Sequence, residues 1–297
     1  MPELPEVEAL RRLLTARLLG SRVASIELGS LSALKTVIPS PADLTGGLVS
    51  DVQRRGKFLA LRVDAGAEGQ AYLAWHLARA GWVKWREEMP ATPLRPGKGA
   101  VAMRVGFVTV DGEPVGGFEL TEAGTKKGLA IHVVTHLHDV PGIARLGVEP
   151  LSDAFTSQAF DRICADAGRM HVKAMLRDQS RIAGIGNAYS DEILHAARLS
   201  PFQPTDALDD SQRTRLHECI IATLRDAIEA CTGTEPQGLK DVKRSHLAIH
   251  GRTGQACPTC GDLIREVSLA DRSLQYCPTC QTGGRALADR RLSRLLK

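Results

Sequence analysis

Residues 257–280 read CPTCGDLIREVSLADRSLQYCPTC and hold two Cys-x-x-Cys pairs, Cys257/Cys260 and Cys277/Cys280, with 16 residues between them. Each pair can supply two thiolates to one ion, and four thiolates complete a closed tetrahedron. This spacing is typical of zinc ribbons, and a closed set of ligands leaves no position for a reactive water. The stretch therefore predicts one structural Zn²⁺ bound by these four cysteines, with a pair of redox motifs as the alternative.

Basic residues cluster on both sides of the cysteine pairs. Residues 240–252 carry four lysines and arginines against one acid, and residues 285–297 carry five against one. The chain as a whole has 38 basic and 34 acidic residues, for a net charge of +4. A basic surface of this kind suits a polyanionic partner such as nucleic acid. A solvated face without a partner is the alternative that charge alone leaves open.

The first half of the chain alternates short β-branched runs with turn residues, which is typical of an antiparallel β-sandwich. Residues 3–20 precede it as a helix, with acidic residues in the first turn and Gly20 after the last. Asp111-Gly112 is a hairpin turn signal. The expected strands are Arg22–Leu28, Lys57–Val63, Ala71–Leu77, Val101–Val110 and Leu129–Val134.

Helical periodicity replaces this pattern after residue 153. Four helices are expected, at Ser157–Asp166, His171–Arg177, Asn187–Leu199 and Asp210–Cys231. The predicted fold is α+β and multidomain, with a helix-flanked β-sandwich followed by a helical domain that ends in a four-cysteine zinc finger. The predicted limits are 1–137 for the sandwich, 138–153 for a linker, 154–246 for the helical domain and 247–297 for the zinc finger and basic tail.

The N-terminus could carry chemistry of its own. Removal of Met1 before a small residue would expose Pro2 as a secondary amine, and an α-amino group titrates near pH 8. The positive end of the following helix favours the neutral, attacking amine. Glu3 lies beside it and could transfer a proton. From these residues alone, an ordinary helix start is the favoured explanation of Pro2.

The chain as a whole resembles the formamidopyrimidine-DNA glycosylase and endonuclease VIII family, as a divergent member. The resemblance covers nearly the whole sequence in the correct order. It is carried by Pro2–Glu8 (PELPEVE), Arg54–Phe58 (RRGKF), Trp75–Gly81 (WHLARAG), Val140–Leu151, Asp178–Tyr189, which resembles the helix–two-turn–helix motif, and Gly251–Cys280 with Arg272.

This resemblance implies a bifunctional DNA glycosylase and abasic-site lyase of base excision repair, which would act through a Schiff base with β-elimination or β,δ-elimination. It implies Pro2 as the nucleophile, Glu3 as the acid/base and Lys57 as an aid to elimination, with Glu6 and Lys173 in support. His76, Asn187 and Arg272 are the implied phosphate contacts. Gly184 and Gly186 would offer further backbone N–H groups to phosphate at a helix start.

Three stretches depart from the family. One is Leu239–Leu247, which stands where members that read oxidised purines usually have a Gly-rich capping loop. Arg79 stands where the family has a methionine that fills the gap left by a flipped base. Thr121–Gly128, with Lys126 and Lys127, stands where the family has an Arg-Arg-Phe-Gly loop. These three basic residues are expected to contact DNA, and the lesion is expected to differ from 8-oxoguanine. Abasic sites, pyrimidine lesions, single-stranded DNA and unusual adducts remain open.

Other functional classes remain as alternatives. A family member could recognise damaged or abasic DNA without excising a base, although pure binding does not require Pro2, Glu3 and Lys57. A zinc-ribbon interaction module would leave the first half of the chain unexplained. The sequence has no long apolar run and no secretory signal pattern, so we expect a cytoplasmic monomer that associates with damaged DNA in the nucleoid.

Overall fold

The structure is a computed structural model that describes residues 1–65, 69–97, 99–124, 127–268 and 273–288. The chain forms two compact units. The first contains Met1–Arg145 and Cys231–Lys240, and the second contains Leu146–Ala230 and Asp241–Lys297. The division after Arg145 lies inside the segment predicted as a linker, and the domain limits given above stay a prediction.

One helix and one antiparallel sheet make up most of the first unit. Helix α1 (Leu4–Leu18) begins with Pro5 in its first turn and packs on the second strand. Its buried leucines, Leu4, Leu10, Leu14 and Leu18, are fully covered. The strands are β1 (Arg22–Leu28), β2 (Leu48–Arg55), β3 (Phe58–Asp64), β4 (Gln70–His76), β5 (Gly81–Arg86), β6 (Val101–Val108), β7 (Pro114–Glu122) and β8 (Ala130–Val134).

The eight strands are ordered β5-β7-β6-β1-β2-β3-β4-β8, and the sheet folds over on itself. Trp75 on β4 and Phe118 on β7 have four strands between them in the sheet, yet their rings lie 5.2 Å apart. Both side chains are completely buried. Two layers of one sheet therefore enclose a common core, which confirms the predicted β-sandwich.

The strand predictions were correct where β-branched residues run together and incomplete elsewhere. The limits of β1 agree with the prediction, and Gly112 makes the expected turn between β6 and β7 with φ +92°. Strands β2, β5 and β7 were missed. β2 (LVSDVQRR) is rich in polar residues, and β7 contains Pro114 and two glycines, so local propensity argues against both.

The second unit is mainly helical. Helix α3 (Ser157–Ala167) is capped at its start by the Thr156 hydroxyl, which accepts from the Ala159 N–H at 3.1 Å. Helix α6 (Asp210–Cys231) has the predicted limits. A helix at Leu239–His246 was not predicted, and its residues belong in part to each unit. The helices after the sheet are α2 (Pro141–Ala144), α3 (Ser157–Ala167), α4 (Val172–Arg177), α5 (Asn187–Ala196), α6 (Asp210–Cys231) and α7 (Leu239–His246).

The zinc-finger segment contains a two-stranded hairpin, β9 (Arg265–Ser268) and β10 (Ser273–Tyr276), followed by the short helix α8 (Pro278–Thr282). Ile249 and Ile264 form a small core with Cys257 and Cys277. Among the helices that the structure describes, none is both long enough and apolar enough to cross a bilayer.

Candidate functional site

The start of α1 is a buried cluster of proline and carboxylates. Pro2 is buried, and Glu3 and Glu6 are 2% and 0% exposed. The Glu3 N–H donates to the Glu6 carboxylate at 2.7 Å, which closes the first turn as a capping box. Glu6 therefore orients the backbone that carries Glu3, and its supporting role in catalysis stays a prediction. Met1, whose removal would expose the Pro2 amine, is 44% exposed.

The turn that carries Lys57 is tied to this helix by an ion pair. Arg54 Nε lies 3.1 Å from a carboxylate oxygen of Glu8 on α1, and its guanidinium also donates to the carbonyl of Gly56 at 3.1 Å. Burial raises the pKa of Glu8, but hydrogen bonds and the charges of Arg11 and Arg54 outweigh it, so the pKa is held below its usual value. Glu8 is thus a stable anion that links α1 to the Lys57 turn.

Sequence reasoning missed the Glu8–Arg54 pair, although both residues lie in the motifs that carried the resemblance. The two residues are 46 positions apart in the sequence, and the periodicity of apolar residues does not reveal a contact over that separation. Lys57 itself is 8% exposed at the tip of the β2–β3 hairpin. Its burial fits a lysine that acts at a specific site.

His76 ends β4 next to Lys57 as a neutral imidazole. Burial and the charge of Lys57 lower the pKa of His76 to about 4. Its Nδ1 accepts from the Ala78 N–H at 3.2 Å, and its ring lies 4.7 Å from that of Phe58. The ring proton is therefore on Nε2, where it can be donated to a phosphate oxygen. The structure brings His76 and Lys57 together, as their expected roles require.

We expect His76 to make the fold less stable in acid. The unfolded chain takes up this proton as the pH falls below about 6.5, whereas the folded chain takes it up only near pH 4. The contribution of neutral His76 to the free energy of unfolding is thus fully present above about pH 6.5, and it is lost as the pH falls from there to about 4. Urea unfolding of His76→Gln at pH 7 and pH 5 should show a smaller pH-dependent loss than the wild type. The exposed His138→Gln is the control, and equal losses in wild type and His76→Gln would contradict the assignment.

Arg79 and Lys127, which stand at two of the departures from the family, belong to the first unit. Arg79 is exposed and follows Ala78, which has an unusual φ of +49°. Lys127 is exposed, and its ammonium donates to the Glu122 carbonyl at 2.5 Å. The buried Glu122 carboxylate accepts from the backbone N–H groups of the two residues after Lys127 and fixes the base of this loop. Lys126 lies outside the described residues.

In the second unit, Lys173 is buried between α4 and α5. Its ammonium donates to Asp191 at 2.6 Å, to Ser190 at 2.8 Å and to the carbonyl of Asn187 at 3.1 Å. An ammonium has three protons, and these three acceptors match them. Lys173 therefore holds the start of α5 in place, which is consistent with a supporting role.

Asn187 begins α5 and is tied to the zinc-finger hairpin. Its amide Nδ2 donates to the carbonyl of Ser273 at 2.8 Å, while its Oδ1 is buried with no partner among the described residues. The expectation that the Gly184 N–H is open to a phosphate is wrong, because this N–H donates to the Gln179 side chain at 2.9 Å. Gln179 also donates to the carbonyl of Ile185, so it shapes the turn before α5 and leaves the Gly184 N–H unavailable.

The four cysteine sulfurs meet as the spacing predicted. The Sγ atoms of Cys257, Cys260, Cys277 and Cys280 all lie within 4.8 Å of one another. Four thiols at this separation fit one tetrahedral Zn²⁺, because Zn–S bonds of about 2.3 Å place ligand sulfurs under 4 Å apart. The other cysteines stand apart, with Cys164 and Cys231 buried in helices and Cys219 half-buried. Arg272 lies outside the described residues.

Three family models match successive parts of the chain. Residues 1–115 match the formamidopyrimidine-DNA glycosylase N-terminal domain. Residues 146–237 match the formamidopyrimidine-DNA glycosylase H2TH domain, and residues 254–283 match a zinc finger found in FPG and IleRS. The matches follow the order of the sheet, the helices and the cysteine cluster.

Similar proteins cover almost the full length. A formamidopyrimidine-DNA glycosylase of Symbiobacterium thermophilum is 35% identical over 306 residues, which span 98% of this chain and 93% of that protein. The MutM (Fpg) crystal structure from Thermus thermophilus superposes with a TM-score of 0.76 at 30% identity, over 96% of this chain and 100% of that one. Lactococcus lactis Fpg in complex with DNA containing an abasic site gives a TM-score of 0.79 at 26% identity, over 94% and 99%.

Proposed function

Because the chain belongs to the formamidopyrimidine-DNA glycosylase family, we propose that it excises damaged bases and cuts the resulting abasic site through a Schiff base formed by Pro2. At the level of class, it is a DNA glycosylase of base excision repair. The observation that carries the finer proposal is the buried helix start at Pro2, Glu3 and Glu6, which the Glu8–Arg54 pair ties to the Lys57 turn.

The chemistry begins with the neutral amine of Pro2 once Met1 has been removed. Its lone pair forms a bond to the sugar C1′ while the bond from C1′ to the base breaks, and the base leaves with a proton. In this mechanism Glu3 moves protons between the base, the sugar oxygen and solvent. Loss of the sugar oxygen from C1′ then leaves an iminium between C1′ and the proline nitrogen.

Strand cleavage follows from the acidity of this iminium. A base removes a proton from C2′, the electrons form the C2′–C3′ double bond, and the 3′-phosphate departs. Lys57 and His76 lie together and offer an ammonium and a neutral N–H to the phosphates beside the lesion. Water then releases the sugar from Pro2. A second elimination at the 5′-phosphate is the β,δ route.

The departures at Arg79 and Lys127 support a substrate that needs little or no apolar wedge. A glycosylase must take the nucleotide out of the stack, which costs a few kcal/mol and costs least for a damaged or unpaired base. An exposed arginine on the Ala78–Arg79 turn cannot fill the gap with apolar surface as a methionine does. We propose abasic sites and lesions in weakly paired or single-stranded DNA as the favoured substrates.

We expect 8-oxoguanine opposite cytosine to be processed roughly 10- to 100-fold more slowly than an abasic site in the same duplex, since a few kcal/mol of eversion energy is not recovered. Single-turnover rates on a panel of lesions in single- and double-stranded oligonucleotides measure this. Arg79→Met should reduce the difference between the rates on 8-oxoguanine and on the abasic site. Lys84→Met, at an exposed position on β5, is the control. Efficient removal of 8-oxoguanine by the wild type would contradict the proposed substrate preference but would leave the proposed mechanism intact.

A further inference from the structure

Helix α5 carries a largely buried polar face, formed by the adjacent Asp191 and Glu192 and by His195 one turn later. Asp191 is 1% exposed, and Glu192 and His195 are each 9% exposed. Buried polar groups persist where they are hydrogen-bonded, so each of these side chains should have a partner. Asp191 accepts from Lys173 on α4. The following partners lie in the segment 248–280 of the same unit: Asn187 bonds Ser273, Asp191 bonds His250, Glu192 accepts from the N–H groups of Ala248, Ile249 and His250, and His195 meets Cys257.

The contact of His195 differs from the others because its partner is a cysteine of the metal cluster. His195 Nε2 lies 3.3 Å from Cys257 Sγ. The group of mutually close ligand atoms consists of the four sulfurs alone, so His195 stands beside the cluster, outside the ligand set. At this distance from a sulfur acceptor, the favourable arrangement is an imidazole N–H that donates to sulfur.

Cys257 needs such donors because its surroundings are apolar. The cysteine is 3% exposed and packs against Ile249 and Ile264. A zinc-bound sulfur carries negative charge, and burying charge without compensating hydrogen bonds is costly. Backbone N–H groups of Thr259 and Cys260 also donate to this sulfur. His195 adds a side-chain donor that reaches it from another helix.

We propose that His195 is a positioning residue that donates its Nε2–H to the zinc-bound thiolate of Cys257 and thereby couples metal binding to helix α5. The same helix begins at Asn187, which holds the zinc-finger hairpin at Ser273. Zinc occupancy and the orientation of the predicted phosphate contact at Asn187 are therefore linked. The proposal rests on the four-cysteine zinc site and does not depend on glycosylase activity.

Three variants of the full-length zinc protein test this role. His195→Phe keeps an aromatic ring but removes the N–H, and His195→Gln places an amide N–H near the position of Nε2. His217→Phe is the matched control, since His217 is also 9% exposed in the same unit but bonds the carbonyl of Phe155 at 2.9 Å.

We expect His195→Phe to bind zinc about 10- to 100-fold more weakly, which is the usual cost of losing a residue that supports a metal ligand. Competition with a chromophoric chelator measures the affinity. The thiolate-to-metal charge-transfer band of the cobalt-substituted protein should also shift in His195→Phe. His195→Gln should recover most of the affinity, and His217→Phe should match the wild type in both measurements.

Equal zinc affinity and an unchanged cobalt band in His195→Phe and His217→Phe would overturn the proposal. Loss of zinc affinity in both variants would overturn it too, because a general loss of packing would then explain the effect. If His195→Phe does not fold, nitrogen NMR of the wild-type protein decides, because the proposal requires the ring proton on Nε2. A proton on Nδ1, or direct coordination of the metal by Nε2, contradicts it.

Discussion

Replacement of Pro2 with glycine is expected to lower borohydride trapping on abasic-site DNA by at least roughly 100-fold, because the secondary amine that forms the iminium is lost. A glycine N-terminus keeps a primary amine, so a small residual signal is compatible with the mechanism. The measurement incubates Met1-free protein with abasic DNA and reductant and quantifies the covalent complex. Mass spectrometry of the N-terminus establishes that Pro2 is the first residue in the protein used.

Glu3→Gln separates the two steps assigned to this helix start. We expect it to trap on preformed abasic DNA, since the amine is intact, but to excise bases about 10²- to 10⁴-fold more slowly, the range typical of a lost acid/base group. The Glu3 backbone N–H still bonds Glu6, so the capping arrangement at this position is preserved. A wild-type protein that starts at Pro2 and binds abasic DNA without any trapping would instead favour the binding-only alternative.

A large effect on DNA binding is expected from the metal site. Cys277→Ala should lose zinc and bind abasic-site DNA about 10- to 100-fold more weakly, because a lost charge-assisted hydrogen bond is worth about 1.5–3 kcal/mol and every 1.4 kcal/mol is tenfold. Cys277 is completely buried in the small core of the zinc finger, and zinc supplies folding energy to such segments. The predicted phosphate contact at Arg272 then loses its support.

Zinc content by atomic emission and DNA affinity by fluorescence anisotropy measure this effect. Cys164→Ala is the matched control, since Cys164 is also buried but lies in α3, away from the cluster. It should keep its zinc and its DNA affinity. A zinc-free Cys277→Ala with unchanged DNA affinity would separate the metal from DNA binding and contradict the prediction.

Local patterns carried much of the fold. The period of apolar residues predicted the limits of α6, and turn chemistry predicted the bend at Asp111-Gly112. Strand β2 was missed because its many polar residues are atypical of a strand, although it pairs with a neighbouring strand on each side. Helix α7 was missed for a related reason: Leu239 is its only buried residue, and charged and polar side chains dominate its short sequence.

For the candidate site residues, the sequence predicts roles, whereas the structure shows their charge states and their bonding partners. Lys173 was expected near the lesion, and the structure shows its charge bonded to Asp191, Ser190 and the Asn187 carbonyl. His76 was expected as a phosphate contact, and its neutral form and proton position follow only from burial beside Lys57. Arg54 and Glu8 were not expected to act together at all.

The sequence by itself determined the features that depend on neighbours a few residues away: the Cys-x-x-Cys ligand pairs, the helix start at Pro2 and Glu3, and the motifs that identify the family. Only the tertiary structure decided which charges are paired, which histidine is neutral and which helix supports the zinc site at His195. The reason is physical. Hydrogen bonding, burial and pKa depend on groups brought together from distant parts of the chain, and spacing along the sequence does not record those distances.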